Sequence, residues 1–306
     1  IPGDVDKIIS NGTSAGGALS ALLGTTGNHP DYEPYLEEIG AAEETDDVYA
    51  ASCYCPITNL EHADMAYEWE FCGFDDYYWG EKSGVMSEEQ KKLSAMEKLL
   101  FPSYLNSLKL VGDSGRQLTL KEDGNGSFKE YIAEYVLKSA DRAAECGTDL
   151  EVLTWLTMEN GRPVGLDWDS FIKYRTRMKT APAFDDVHLA TPENELFGSS
   201  DTERRHFTSF SLKHSAVSGK MADEVQIRQM NPMNYIQDPI AKKAKYFRIR
   251  HGAADRDTSL AISAILTAGL RNEGLLVDYH LPWGVPHAGD YDLEELFNWI
   301  KTVCKK

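Results

Sequence analysis

A glycine-rich turn near the amino terminus restricts the fold of this chain more than any other stretch. Two isoleucines precede residues 12–16, which are Gly-Thr-Ser-Ala-Gly, and a segment rich in alanine and leucine follows up to Gly24. This order predicts a short strand, a tight turn at Ser14 and a helix that begins near Ala15. A residue on so tight a turn has strained backbone angles. We expect glycine at positions 12 and 16 because side chains there would collide.

The same five residues fit the Gly-x-Ser-x-Gly pattern of a nucleophile elbow. On its own the pattern is just as typical of an ordinary turn between a strand and a helix. Here, however, strand, turn and helix occur in the order that a nucleophile elbow requires. Ser14 is therefore the predicted nucleophile, and the amide of Ala15 is a predicted donor to the oxyanion hole. An acid and a histidine should follow in that order along the chain.

Both groups are found near the carboxyl terminus. Residues 244–257 indicate a strand that ends in a turn containing Asp255, and a helix is predicted over 259–273. A last strand over 275–281 leads into a loop that contains His287. Because parallel strands end at one edge of a sheet, both side chains would reach the edge where Ser14 stands. This order of elements predicts the carboxyl-terminal half of an α/β-hydrolase fold.

Two neighbouring residues compete with this assignment. Asp257 lies in the same turn as Asp255, so the spacing alone leaves it as an alternative acid. His251, at the end of the strand, is expected to pack behind the site or to support it. Neither alternative changes which edge of the sheet carries the chemistry.

The middle of the chain is predicted to interrupt this core. Residues 48–57 form an apolar run that predicts a strand buried on both faces, beside the strand before Ser14. From about residue 75 to 231 the alternation of strands and helices disappears. Helices over 87–100 and 128–145 and a strand over 151–158 are predicted there instead. The expected fold is an α/β-hydrolase core with a mostly parallel sheet, formed by residues 1–76 and 232–306, and a large inserted lid domain over residues 77–231.

Composition excludes several other classes of protein. The chain has 31 basic and 49 acidic residues, a net charge of −18 that argues against nucleic-acid binding. No apolar run approaches the roughly 18 residues of a membrane span, so a soluble protein without a membrane partner is expected. The sequence leaves its compartment open and slightly favours the cytoplasm over secretion. The five cysteines lack zinc-binding spacing, and Cys53 and Cys55 are expected on one side of a strand as buried free thiols. No metal or organic cofactor is expected.

The predicted elbow lies unusually early in the chain. An α/β-hydrolase has several strands before its nucleophile strand, and these N-terminal strands are expected to be missing from this chain. We therefore expect an N-terminal segment of the same protein to complete the fold. That segment would also donate the second amide of the oxyanion hole.

Six stretches of the chain form long motifs: residues 11–24, 54–64, 179–185, 191–195, 250–261 and 282–293. Together they resemble bacterial tannases (tannin acylhydrolases), which are α/β-hydrolases with a large inserted lid. The resemblance covers nearly the whole chain and implies a serine esterase with Ser14, Asp255 and His287 as its triad. It further implies that Lys179, Glu193 and Asp257 hold the three hydroxyl groups of a galloyl ring.

The resemblance implies small galloyl esters as substrates: hydrolysable tannins, with their ester and depside bonds, or alkyl gallates. Gallic acid would be released through a galloyl-enzyme intermediate. The alternative is a feruloyl or other phenolic-acid carboxylesterase of the same fold, in which Lys179 and Asp257 would matter little. A third hypothesis is a binding protein with a hydrolase fold and no activity. The complete set of Ser14, Asp255 and His287 argues against it.

Overall fold

The computed structural model describes residues 3–305. Its strands, in chain order, are β1 (Ile9–Thr13), β2 (Ala50–Tyr54), β3 (Asp76–Trp79), β4 (Lys82–Val85), β5 (Leu156–Glu159), β6 (Arg162–Leu166), β7 (Tyr246–Arg250) and β8 (Leu276–His280). Its α-helices are α1 (Ala15–Leu23), α2 (Glu33–Glu38), α3 (Ala63–Phe71), α4 (Glu88–Ser107), α5 (Ser127–Glu145), α6 (Trp168–Arg175), α7 (Pro192–Leu196), α8 (Ser209–Lys213), α9 (Glu224–Gln229), α10 (Met233–Ile236), α11 (Leu260–Asn272) and α12 (Leu293–Val303). Within this described part, no helix is both long and apolar enough to cross a membrane.

A four-stranded parallel sheet in the order β1-β2-β7-β8 forms the centre of the fold. All five residues of β2 are buried, as predicted for a strand between two neighbours and two layers of helices. The register pairs Thr13 with Tyr54, Tyr54 with Arg250, and Arg250 with His280. The four strands therefore end level with one another, and the segments that follow them meet at one edge.

Helices cover both faces of this sheet, which confirms the predicted α/β class. On one face, Ala51 and Cys53 of β2 belong to a large core shared with α1, α3 and α11. On the other face, Val303 of α12 packs against Ala50 and Tyr246. Alternate residues of a strand point to opposite faces, so β2 contributes to both cores.

Residues between β2 and β7 add no strand to the central sheet. They form two separate antiparallel hairpins, β3–β4 and β5–β6, together with helices α3 to α10. The predicted strand over 151–158 was wrong in its bounds, because residues 151–155 form turns and the strand begins at Leu156. The prediction also missed the partner strand β6, which returns after an Asn160–Gly161 turn in which both residues have positive φ. The division into a core and a lid domain stays a prediction.

A group of buried acids lies where α3 packs against α4. Glu97 of α4 is 2% exposed, and its Oε2 has no hydrogen-bond partner among the described residues. Asp64 and Glu68 of α3 lie nearby, with Arg177 paired to Glu68. Burial, and then the neighbouring carboxylates, raise the pKa of Glu97 well above its usual range. Glu97 is therefore protonated in the folded protein at pH values where the unfolded chain has already ionised.

This raised pKa predicts a loss of stability as pH rises. The folded state retains a proton that the unfolded state releases above the ordinary glutamate pKa, so the free energy of unfolding falls from there towards the raised folded pKa. Glu97→Gln stays neutral at every pH, and we expect it to raise Tm at pH 8. The rise should be about 2–4 °C for each kcal/mol that the substitution adds to the free energy of unfolding. The gain should shrink towards pH 4.5. Thermal unfolding at the two pH values measures it.

Glu134→Gln is the matched control, because Glu134 is an exposed residue in the middle of α5. It should shift Tm little at either pH. A gain from Glu97→Gln that is equal at pH 4.5 and pH 8, or a wild type that is more stable than the variant at pH 8, would contradict the prediction.

Candidate active site

Ser14 lies on the predicted turn between β1 and α1, in a strained backbone conformation with φ 58° and ψ −117°. The structure explains two of the nearby glycines. A Cβ at Gly12 would overlap the carbonyl of Gly16, and a Cβ at Gly17 would lie 2.5 Å from Tyr54 O. A Cβ at Gly16 would meet no atom within 4 Å, so the expected collision there was wrong. The close approaches are made at Gly12 and Gly17 instead.

Backbone hydrogen bonds fix this turn against the neighbouring strand. The Ser14 amide donates to Tyr54 O at 2.9 Å, and the Ile57 amide donates to Ser14 O at 3.4 Å. Ala15 is the first residue of α1, so its N–H has no acceptor within the helix. Ala15 is also exposed, which leaves its amide at the start of the helix available to a ligand.

Asp255 and His287 come together beside this turn. His287 Nδ1 lies 2.8 Å from Asp255 Oδ2, and His251 Nε2 lies 3.1 Å from the same oxygen. The other Asp255 oxygen accepts the Asp257 amide at 2.8 Å. Asp255 is completely buried and reaches the imidazole, whereas Asp257 Oδ1 lies 4.0 Å from the opposite ring atom, Nε2.

The charges of these groups are coupled. Burial alone would raise the pKa of Asp255, but His251 and His287 outweigh it and hold the pKa well below its usual range. Burial alone would lower the pKa of His287, but the hydrogen bond and charge of Asp255 raise it above its usual value. Asp255 is thus an ionised carboxylate that stabilises a positive charge on the imidazole.

The loop that carries His287 packs tightly on the strand ends. A Cβ at Gly252 would overlap Val285 O, and a Cβ at Gly289 would overlap the Thr13 side chain. The loop therefore lies against both the end of β1 and the turn of Asp255. Such contact fixes the position of the imidazole relative to Ser14.

Most of the predicted site residues line one cavity of about 520 Å³. Ser14, His287, Lys179, Glu193 and Asp257 all line it. Ser14 and His287 both line this cavity. In the described part of the chain, their side chains do not form a hydrogen bond with each other. Catalytic hydrogen bonds are often long in a free enzyme and shorten when a substrate binds.

Lys179 and Glu193 reach the cavity from the segment between α6 and α8. Lys179 Nζ lies 3.2 Å from Asp257 Oδ1 and 4.0 Å from the centre of the Phe184 ring. Glu193 is in the first turn of α7, whose start is fixed by a capping box between Thr191 and Asn194. Burial, opposed by the charge of Lys179, raises the pKa of Glu193. A cation and two carboxyl groups thus line one wall of the cavity.

Several side chains that support the site were not singled out from the sequence. Arg175 donates to Asp255 O at 2.9 Å and forms a buried ion pair with Glu70 at 2.7 Å. Tyr67 Oη accepts the Lys179 amide at 3.0 Å and donates to Arg256 O at 2.9 Å. These contacts tie the Asp255 turn to the segment that carries Lys179. Tyr77 and Trp79 of β3 also line the cavity.

Cys55 is another group that the sequence placed differently. Cys53 belongs to the main core, whereas Cys55 packs with Tyr54 and Leu296 on the other side of the sheet, so the expected shared side was wrong. The strand ends at Tyr54 and Cys55 has a positive φ of 35°, which breaks the alternation of side chains. Cys55 Sγ lies 3.8 Å from His287 Nε2 and 3.4 Å from Ala288 O. Cys55, Asp255 and His287 are the group of possible metal ligands found in residues 3–305.

Comparison with solved structures gives close matches over almost the whole chain. Tannin acyl hydrolase from Lactobacillus plantarum is 47% identical with a TM-score of 0.97, over 99% of this chain and 67% of that chain. Tannase from Fusobacterium nucleatum is 47% identical with a TM-score of 0.93, over 99% of this chain and 69% of that chain. A tannin acyl hydrolase in complex with ethyl gallate matches at 47% identity and a TM-score of 0.97, over 99% and 67% of the two chains.

No protein-family model and no curated protein matches the chain. The agreement with the tannase structures nevertheless combines high identity with nearly complete coverage of this chain. It also agrees with the resemblance of the six sequence stretches. This chain therefore belongs to the tannases, a family of carboxylic ester hydrolases.

Proposed function

We propose that this protein hydrolyses galloyl esters as a serine esterase, with Ser14 as nucleophile, His287 as general base and Asp255 as the acid that orients it. The observation that carries the proposal is the shared cavity. It places Ser14 and His287 beside a lysine and two carboxyl groups, in a member of the tannase family. Hydrolysable tannins and alkyl gallates are the proposed substrates.

The reaction would proceed in two halves. Ser14 Oγ attacks the ester carbonyl while its proton moves to His287 Nε2. The oxyanion that forms accepts a hydrogen bond from the Ala15 amide. The tetrahedral intermediate collapses, His287 returns the proton to the departing alcohol, and a galloyl-enzyme remains. Water then attacks this ester, losing a proton to His287, and gallic acid leaves as the proton returns to Ser14. Asp255 keeps Nδ1 protonated and stabilises the imidazolium in both halves.

The same cavity suits the ring of a galloyl group. Three adjacent phenolic hydroxyls offer donors and acceptors in one plane, and Lys179, Glu193 and Asp257 offer complementary charges. The structures of tannin acyl hydrolases with ethyl gallate and with 3,4-dihydroxybenzoate support a ring bearing hydroxyl groups as the ligand. Since Lys179 and Glu193 lie within residues 77–231, we propose that this segment is a lid that supplies much of the ring pocket.

Relative rates on three methyl esters test this function. A site built to bind hydroxyl groups leaves its own charges unpaired around a plain ring, so kcat/KM for methyl gallate should exceed that for methyl benzoate by on the order of 10⁴-fold. Methyl ferulate should also be a poor substrate. Equal rates on methyl ferulate and methyl gallate would identify a general phenolic esterase, and the absence of hydrolysis of all three by the full-length protein would refute esterase activity.

A further inference from the structure

The ends of three neighbouring strands place metal-binding side chains around one atom of the candidate base. Cys55 follows β2, Asp257 lies in the turn after β7, and His287 lies in the loop after β8. His287 Nε2 is 3.8 Å from Cys55 Sγ and 4.0 Å from Asp257 Oδ1. The opposite ring nitrogen is held by Asp255 at 2.8 Å. Nε2 therefore faces a thiol and a carboxylate while the ring is fixed from behind.

We propose that Cys55 and His287 form an inhibitory site for a thiophilic divalent cation such as Zn²⁺, and that Asp257 moves towards the ion to become a third ligand. Sulfur, imidazole nitrogen and carboxylate oxygen are the ligands that Zn²⁺ takes in proteins. A tetrahedral ion with Zn–S of about 2.3 Å and Zn–N of about 2.0 Å holds those two ligands about 3.5 Å apart. This spacing is slightly shorter than the observed 3.8 Å between Sγ and Nε2.

The surroundings of the three groups fit this role. The carboxylate of Asp255 against Nδ1 is the arrangement that orients a metal-binding histidine and makes its free nitrogen a better ligand. Cys55 is completely buried, so an ion would reach the thiol from the catalytic cavity, past an imidazole side chain that is 24% exposed. Asp257 already pairs with Lys179 and is the weakest of the three ligands. Water would fill the remaining position.

Binding would exchange protons for the ion. The Cys55 thiol loses its proton to solvent, as does His287 Nε2 where the imidazole is protonated, and the sulfur and the free Nε2 lone pair then form bonds to the cation. The ion then occupies the lone pair that must accept the Ser14 proton. Binding stands independently of the proposed function, whereas inhibition of hydrolysis rests on it.

Two measurements on the intact chain test the site. The first uses Co²⁺ as a spectroscopic probe in Ser14→Ala, which binds the ion without requiring turnover. We expect a thiolate-to-cobalt absorption band that is lost in the double variant with Cys55→Ala. The second is inhibition of methyl gallate hydrolysis by Zn²⁺, reversed by a chelator. The inhibitory concentration should rise at least about tenfold in Cys55→Ala.

Cys146→Ser is the matched control, because Cys146 is an exposed free thiol outside the cavity. It should retain both the band and the sensitivity to Zn²⁺. Cys55→Ser provides a second variant of nearly unchanged size in case Cys55→Ala folds poorly. A cobalt band that survives both Cys55 variants, or equal inhibition of wild type and Cys55→Ala, would overturn the proposal. A Cys55-dependent band in a protein that hydrolyses no gallate ester would support the binding site and refute the proposed function alone.

Discussion

Ser14→Ala should lower kcat/KM for methyl gallate by on the order of 10⁴- to 10⁶-fold, the loss typical of removing a serine nucleophile. The variant keeps the volume of the cavity and loses only the attacking oxygen. Binding of gallic acid should persist, because the proposed ring contacts are made by Lys179, Glu193 and Asp257. Initial rates of hydrolysis and calorimetric binding of gallic acid measure the two quantities separately.

Two further variants make this result specific. Ser10→Ala changes a serine of β1, the strand that leads to Ser14. The Ser10 hydroxyl is buried and lacks a hydrogen-bond partner in the described residues, so activity should be nearly unchanged. Cys55→Ala tests a competing nucleophile, since the thiol lies 3.8 Å from His287 Nε2. If Ser14→Ala kept most of the activity and Cys55→Ala lost it, the thiol would be the nucleophile and the proposed mechanism would be wrong.

The sequence predicted the central sheet well because its signals are local. The run at 48–57 does not alternate between apolar and polar residues, which predicts a strand buried on both faces. Within it, residues 50–54 form the fully buried β2. Strained turns also leave a clear signal, since few residues other than glycine fit beside Ser14. The order of elements around β7 and β8 then placed Asp255 and His287 at one edge, because parallel strands leave little other choice.

The cavity wall was harder to predict. The hairpin β3–β4 brings Tyr77 and Trp79 to the cavity, and its signal was an aromatic run followed by a two-residue turn at Gly80. Helix α4 was expected to end near residue 100, yet it continues to Ser107 with Pro102 inside it. A proline removes one helical hydrogen bond, and packing of Phe101 and Leu105 in the core offsets that loss.

Cys55 shows a different limit of the sequence. Alternation along β2 holds only while the strand continues, and the positive φ at Cys55 turns its side chain towards His287. No local pattern marks where a strand stops within an apolar run. Contacts across strand ends, such as Cys55 with His287 or Arg175 with Asp255, depend on the fold as a whole.

Lys179→Met should remove most of the preference for the galloyl ring. Methionine has a long unbranched side chain without charge, so the variant deletes the ammonium group from the cavity wall while filling much of its space. A hydrogen bond to a charged group contributes about 1.5–3 kcal/mol, which corresponds to roughly 10- to 150-fold in kcat/KM for methyl gallate. Asp257 and Glu193 would also lose their shared cation and repel one another. Hydrolysis of methyl benzoate, whose ring offers no hydroxyl group, should change little.

The ratio of kcat/KM values for methyl gallate and methyl benzoate is therefore the quantity to measure, and it should fall by about 10²-fold, within the range of such charged hydrogen bonds. Lys173→Met, an exposed lysine of α6, is the control and should leave the ratio unchanged. Equal losses on both esters would mean that Lys179 shapes the cavity through Asp257 and Phe184 without contacting the ring. An unchanged ratio would remove Lys179 from the ring pocket and favour an esterase that accepts phenolic acids in general. A selective loss on the gallate ester is expected only if the buried ammonium of Lys179 contacts the ring hydroxyls directly.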